Sequence, residues 1–310
     1  MVVLNPKFFE YNGWSFSGHR LWNQCNRAYY FQYIAHHVNE PPNFNRSELY
    51  DLRKRNSKYF LQGQLVHEVI KNQIGQHKLG RELKLESAIN QYISRVNQMQ
   101  NKDFARDLFT EHYNGELFDI SFFEKMKNDG TDQIKIFFGV VWPQIQDLEY
   151  CEHEEFDEFE INDVKVKVKP DYVSKTKTGK LVISDWKTGK DNESYDDKLQ
   201  IGTYVLWASN HYSIDPKDVS TELIYLSTGN MRSYSFEIPE LEKIKSTILE
   251  DYRNLNRDYN ITSFPSSPSP KICLSCKFAK ICEHQRIDLQ FINQSEIDTF
   301  DPEKILVKKP

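Results

Sequence analysis

Between Lys169 and Lys187 the chain carries Pro170-Asp171 and, fourteen residues after that aspartate, Asp185-Trp186-Lys187. Side chains alternate between the two faces of a strand, so Asp185 and Lys187 share one face of a strand over Leu181 to Trp186, in line with Leu181 and Ile183. A hairpin through Ser174 to Lys180, with Gly179 in its turn, folds Asp171 back beside Asp185. Two carboxylates held that close repel unless a hard cation lies between them, and Mg²⁺ or Mn²⁺ takes oxygen ligands of this kind. Such a cation polarises a phosphate and acidifies a bound water. A lysine two residues further on orients that water or neutralises the charge growing on the phosphorus oxygens. The chemistry this predicts is phosphodiester hydrolysis.

Several elements must position these groups. From Tyr59 to Ile74 the residues Gly63, Val66, His67, Ile70 and Ile74 recur at helical spacing, which turns His67 inward. A histidine on an apolar stripe is ordinarily a hydrogen-bonded core residue; it becomes a candidate ligand if this helix packs over Asp171 and Asp185. A second helix follows at Leu85, Ile89, Tyr92, Val96 and Met99, and a third around Ile134, Phe137, Phe138, Val141, Ile145 and Leu148. Asn101 to Gly130 carries no readable role. Beta structure is expected from near Glu154, through Phe159 and Ile161 to a turn at Asn162-Asp163. A strand over Val164 to Val168 follows, alternating valine with Lys165 and Lys167. Those lysines are either a solvated face paired with the acidic run Glu152 to Glu160, or cations that approach a phosphate backbone. A helix from about Asp196 to His211 places Gln200 and Tyr204 four apart on one side. With a strand over Leu223 to Leu226 it completes a right-handed crossover between parallel strands. A strand at Tyr234 to Ile238 and a helix through Leu241, Ile244, Ile248, Tyr252 and Leu255 close this part. Pro41 to Asn56 reads as a surface connection, Ser263 to Pro270 as a linker with no helical option, and the residues after about Asp288 as a polar, loosely ordered tail.

The 310 residues suffice for a sizeable core, and no apolar run approaches the length of a membrane span. Met1 to Glu10 lacks a secretory pattern, so the expected location is cytoplasmic, with no membrane partner. Five cysteines in such a chain argue for metal ligation or free thiols over disulfides. A pI near 6.0 and a formal charge of −5 do not advertise a nucleic-acid binder, though a local basic track is compatible with both.

The order His67, Pro170-Asp171, Asp185-Trp186-Lys187-Thr188-Gly189 and Gln200-x-x-x-Tyr204 resembles the PD-(D/E)XK nucleases of the RecB-like exonuclease family, and the resemblance spans nearly the whole chain. It implies an α/β, restriction-endonuclease-like core, a central mixed sheet flanked by helices. This nuclease domain would cover residues 1–262, with an added helical region at about 79–148. It implies that His67, Asp171, Asp185 and the main-chain carbonyl of Trp186 hold Mg²⁺ or Mn²⁺, and that Lys187 is the catalytic lysine acting with the two aspartates. Gln200 and Tyr204 match the family's motif helix, which contributes to the site and to DNA contact. One departure is Lys169-Pro170, where many relatives have glycine and a short apolar run; a proline there bends the strand end before Asp171.

Cys273-x-x-Cys276 followed by Cys282 gives three ligands, one short of the four that a zinc site or a cubane cluster requires. Cys25 supplies a fourth, although taken alone it reads as a small buried residue. Nucleases of the AddB type, and the CRISPR-associated adaptation nucleases similar to them, place one cysteine before the nuclease core and three after it around a [4Fe-4S] cluster. Their first cysteine lies in a Cys-Pro-Arg-x-Tyr-Tyr-Phe-like segment. This chain has Cys25-Asn26-Arg27-Ala28-Tyr29-Tyr30-Phe31, with only the proline replaced. The resemblance thus implies an iron–sulfur cluster that packs residues 263–288 back on Cys25, ahead of a polar tail at 289–310. Zinc is the alternative, and Cys151 falls outside the set. The activity expected is that of a metal-dependent DNA exonuclease working on single strands or DNA ends, with a helicase or an integrase as partner class. The alternatives are a catalytically silent DNA-binding or scaffold subunit, and a CRISPR adaptation nuclease.

Overall fold

The computed structural model describes residues 13–38, 45–101, 107–115, 120–152, 156–191, 195–255, 259–269, 272–273 and 275–282. The polar tail and the end of the cysteine segment, from residue 283 onward, lie outside the described residues, as do Pro41 and Pro42. The strands are β1 (Trp14–Ser15), β2 (Glu149–Glu152), β3 (Asp157–Ile161), β4 (Val164–Val168), β5 (Tyr172–Lys175), β6 (Leu181–Lys187), β7 (Val219–Tyr225) and β8 (Asn230–Tyr234). They form a three-stranded sheet in the order β1-β4-β3 and a five-stranded mixed sheet in the order β2-β5-β6-β7-β8.

Asn162 and Asp163 take φ of 46° and 64°, the left-handed conformation of a two-residue hairpin turn that Asn and Asp tolerate. Ile161 therefore pairs with Val164, Glu160 with Lys165 and Glu158 with Lys167. Lys165 Nζ lies 3.2 Å from Glu158 Oε1, so the acidic run is the facing strand of these lysines. The β5–β6 hairpin turns through Gly179 and sets Tyr172 opposite Ser184. β6 then pairs in parallel with β7 over seven residue pairs, from Leu181–Val219 to Lys187–Tyr225. The connection runs through a long helix, the crossover that the alternation of strand, helix and strand predicts.

The helices are α1 (Phe16–Gln24), α2 (Asn26–Tyr29), α3 (Arg46–Lys54), α4 (Lys58–Lys78), α5 (Leu85–Asn101), α6 (Thr110–Tyr113), α7 (Ile120–Ile136), α8 (Trp142–Ile145), α9 (Tyr195–His211) and α10 (Ile238–Leu255). On one face of the large sheet Val173, Leu181, Ile183, Leu223 and Tyr225 pack with α9, α10 and the small sheet. On the other, Tyr172, Trp186 and Ile224 pack with α4, α5 and α7. A third cluster joins the N-terminal helices to Leu255, Phe264 and Phe278. None of the helices among the described residues is long and apolar enough to cross a membrane.

Four expectations change. The segment read as a surface connection contains α3, because Asn45 caps its start and Leu49 and Leu52, three apart, bury one face. β2 was not foreseen; it is an edge strand on β5 with an irregular register between Tyr150 and Glu152, which breaks the alternation a strand would show. α7 starts at Ile120, ahead of the apolar stripe that announces it. β8 ends at Tyr234, where its pairing with Thr221 stops, and does not reach Ile238.

The α5–α7 contact depends on Gly130. A methyl group there would fall 2.1 Å from the ring of Tyr92, whose hydroxyl donates to the Met126 carbonyl at 2.7 Å. Gly130→Ala should destabilise the fold by about 1–3 kcal/mol, read as a lower denaturant midpoint at constant slope.

Candidate active site

The break between the two sheets falls at Lys169 and Pro170, since proline cannot continue a ladder. The chain then enters β5 with Asp171 one residue before the Tyr172–Ser184 pair, which sets it opposite Asp185 on β6. The bend expected at this proline thus separates the sheets and leaves the two carboxylates adjacent. Asp171 is 7% exposed and Asp185 4%. Asp171 Oδ2 accepts the Trp186 backbone N–H at 2.7 Å, and its Oδ1 lies 3.1 Å from His67 Nδ1. A strand residue points its N–H and C=O to the same side, so the Trp186 carbonyl also faces the Asp171 side. The Trp186 ring goes the other way, into the core under α4 and α7.

His67 reaches Asp171 because α4 comes close at Gly63. A Cβ at Gly63 would sit 2.6 Å from Thr188 Oγ1, in the loop that follows Lys187. Gln133 of α7 donates to the Thr188 carbonyl at 2.8 Å and holds that loop from behind. Neither contact is legible in the sequence, since one partner is a main-chain atom and the other a missing side chain.

On the opposite face α9 presents Gln200 and Tyr204, one helical turn apart. Lys187 Nζ donates to Gln200 Oε1 at 2.6 Å, and Gln200 Nε2 donates to Asp185 Oδ2 and to the Tyr204 hydroxyl at 3.2 and 3.0 Å. The ammonium fixes the amide's orientation, because only the oxygen can face it. The Tyr204 hydroxyl shares its proton between Asp185 Oδ2 and the Lys169 carbonyl, each at 3.2 Å. Burial raises the Tyr204 pKa well above that of an ordinary tyrosine, and the charges of Asp185 and Asp171 raise it further, so this hydroxyl stays protonated. Lys187 Nζ lies 2.5 Å from Asp185 Oδ1, yet that buried oxygen receives no hydrogen bond of acceptable angle. Lys165 is turned to Glu158 in the other sheet.

The four cysteines of the motif line one cavity, together with Phe31 and Phe278. Cys25 sits in extended conformation between α1 and α2, and the backbone N–H of Cys276 donates to the Cys273 carbonyl at 3.1 Å. Burial, and then the other three sulfurs, push the Cys276 thiol up to about 12. Among the described residues no three His, Cys, Asp or Glu side chains converge closely enough to hold a metal ion as they stand. The segment is pinned by groups the motif does not include. Arg27 Nε donates to the Phe264 carbonyl at 2.7 Å, and Lys277 Nζ donates to the carbonyls of Arg53 and Arg55, each at 2.9 Å.

The sequence model of the PD-(D/E)XK nuclease superfamily matches residues 13–283. Solved structures similar to the chain include a candidate exonuclease of Eubacterium rectale, 13% identical with a TM-score of 0.45 over 92% of both chains. Another is SSO0001, 15% identical with a TM-score of 0.28 over 57% of this chain and 92% of the other. No curated protein matches.

Tyr204→Phe should cost about 1 kcal/mol at neutral pH by removing the shared hydrogen bonds. A folded-state pKa raised above the ordinary 10.0 makes stability fall as pH rises past 10.0, because the unfolded chain gives up the proton first. The variant should therefore show a shallower alkaline loss than the parent in thermal melts taken across that range.

Proposed function

Because the chain belongs to the PD-(D/E)XK nuclease superfamily, we propose that it is a metal-dependent deoxyribonuclease that hydrolyses phosphodiester bonds at DNA ends or in single strands. The observation that carries this reading is Asp185 Oδ1, a buried carboxylate oxygen without a hydrogen bond, facing the Lys187 ammonium at 2.5 Å. The Lys187 ammonium offsets one carboxylate, and Asp171 is buried beside Asp185 at 7% and 4% exposure, so a second like charge remains that a hard cation between the two would offset. The neighbouring donors fit a hard divalent ion: Asp171 and Asp185, the imidazole of His67 and the carbonyl of Trp186 offer oxygen and nitrogen of the kind that suits Mg²⁺ or Mn²⁺. When bound, such an ion polarises the scissile phosphate and lowers the pKa of a water.

The chain's own residues do the rest. The Trp186 N–H fixes Asp171 in one orientation. Lys187 is anchored by Gln200 as well as by Asp185, so its ammonium keeps its place when Asp185 turns to another partner. There it neutralises charge on the phosphorus oxygens in the transition state. Tyr204, held protonated, donates to Asp185 and orients it while accepting from Gln200.

In the same reading Cys25, Cys273, Cys276 and Cys282 hold a [4Fe-4S] cluster. Its support is the single cavity they line, in which burial first and the three neighbouring sulfurs after it push the Cys276 thiol up to about 12. Joining residues so far apart stabilises by roughly 5 kcal/mol in the chain-entropy account of a cross-link, which makes a structural staple sufficient explanation.

End-labelled single- and double-stranded DNA, incubated with each divalent ion, tests the first part. Asp185→Ala and Lys187→Ala should lower cleavage at least about a hundredfold with the circular dichroism unchanged; full activity in the double variant would sink the assignment. For the second part, anaerobically purified protein should be brown and contain iron and sulfide, and Cys276→Ser should lower the melting temperature. Colourless, folded protein with stoichiometric zinc would replace the cluster by a zinc site.

A further inference from the structure

Aromatic rings contribute heavily to a core, and exposing one forgoes that gain. Among the described residues Tyr50, Tyr59, Phe60 and Phe156 stand more than half exposed, at 57%, 57%, 58% and 72%. Two of them, Tyr59 and Phe60, open α4, the helix that carries His67. Phe60, Gln64 and His67 follow one another at four and three residues, so they form one stripe of the helix, and Gln64 on it is exposed. Along the axis Phe60 stands about 10 Å before His67, the length of roughly three stacked nucleotides. Between them Gly63 abuts Thr188, so this end of α4 borders the loop that leaves Lys187.

Cations accompany the rings. Lys58 Nζ lies 5.7 Å from the centre of the Tyr59 ring, and Lys54 Nζ 3.8 Å from that of Tyr50. The amides at the start of the helix are already taken, the Lys58 N–H by Glu111 and the Phe60 N–H by Ser57 Oγ, so any positive charge met here is that of side chains, and Lys58 Nζ is shared with the Phe122 ring, 5.4 Å from its centre. Glu48 and Asp51 are exposed on α3, which leaves charge by itself a poor guide. What distinguishes this end of α4 is the combination of two open rings with the Lys58 ammonium beside one of them, while Phe60 lies on the stripe that ends at the candidate metal ligand.

We propose that Tyr59 and Phe60, with Lys58, form a stacking platform that leads single-stranded DNA into the Asp171–Asp185–Lys187 site. The proposal rests on the nuclease reading of that site and adds a binding surface to it. Unpaired bases present π faces to such rings while their phosphates meet the ammonium, whereas a duplex hides its base faces.

The test is fluorescence anisotropy of an end-labelled oligothymidylate in EDTA, beside a blunt duplex of the same length. Tyr59→Ala/Phe60→Ala should weaken single-strand binding about tenfold per ring. Duplex binding, the melting temperature and Mn²⁺-dependent hydrolysis of bis(p-nitrophenyl) phosphate, too small to reach the rings, should stay as in the parent. Phe60→Trp should preserve binding and Phe60→Leu should weaken it about tenfold, which separates stacking from apolar burial. Unaltered single-strand binding in the double variant, an equal loss with duplex, or a loss confined to self-association in sedimentation overturns the platform. Undiminished cleavage by Asp185→Ala would overturn the nuclease reading instead, and the binding measured in EDTA is independent of that outcome.

Discussion

Two carboxylates buried side by side make the constraint on which this structure turns. Asp171, at the entry to β5, and Asp185, on β6, lie opposite each other at 7% and 4% exposure, where like charges repel and water screens them poorly. Their oxygens find counterparts on three elements, α4, α9 and β6 itself. The Trp186 amide and His67 serve Asp171, while Gln200, Tyr204 and the ammonium of Lys187 serve Asp185. Removing one member leaves the others facing uncompensated charge, so the group behaves as a unit.

That unit requires both faces of the sheet to be covered at the same place. Strand alternation sends Asp185 and Lys187 toward α9 and the Trp186 ring toward α4 and α7. The site lies at the strand ends, where α4 and α9 approach the same pair of carboxylates from different sides. Gly63 and the fixed loop at Thr188 set the spacing on the α4 side.

The chain ends are drawn in by separate means. Lys277 places its ammonium on the carbonyls at the C-terminal end of α3, a favourable site for a cation, although burial lowers its pKa to about 8. Lys280 reaches the Tyr113 carbonyl in the helical region, and Asn114 there donates to the Cys276 carbonyl at 3.5 Å. The cysteine segment therefore touches both the N-terminal helices and the region ahead of the sheet, and α4 starts where these meet, with the Lys58 amide on Glu111.

The sequence by itself determined what depends on spacing along one element. Alternation in β6, the i,i+4 pair Gln200 and Tyr204, the turn at Asn162-Asp163 and the α4 stripe were all legible, because side-chain direction in a strand or helix follows from residue number. The family resemblance followed from the same short patterns. What the tertiary structure alone decided are relations between elements and contacts made by backbone atoms. The Trp186 amide on Asp171, the Tyr204 hydroxyl on the Lys169 carbonyl and the approach of Gly63 to Thr188 leave no mark in residue type. β2 and α3 were missed for a related reason: a bulged edge strand breaks its alternation, and a nine-residue helix with two buried leucines is held by what it packs against. The sequence supplied the two aspartates and the lysine; only the packing of α4 and α9 onto β6 turned them into one bonded network.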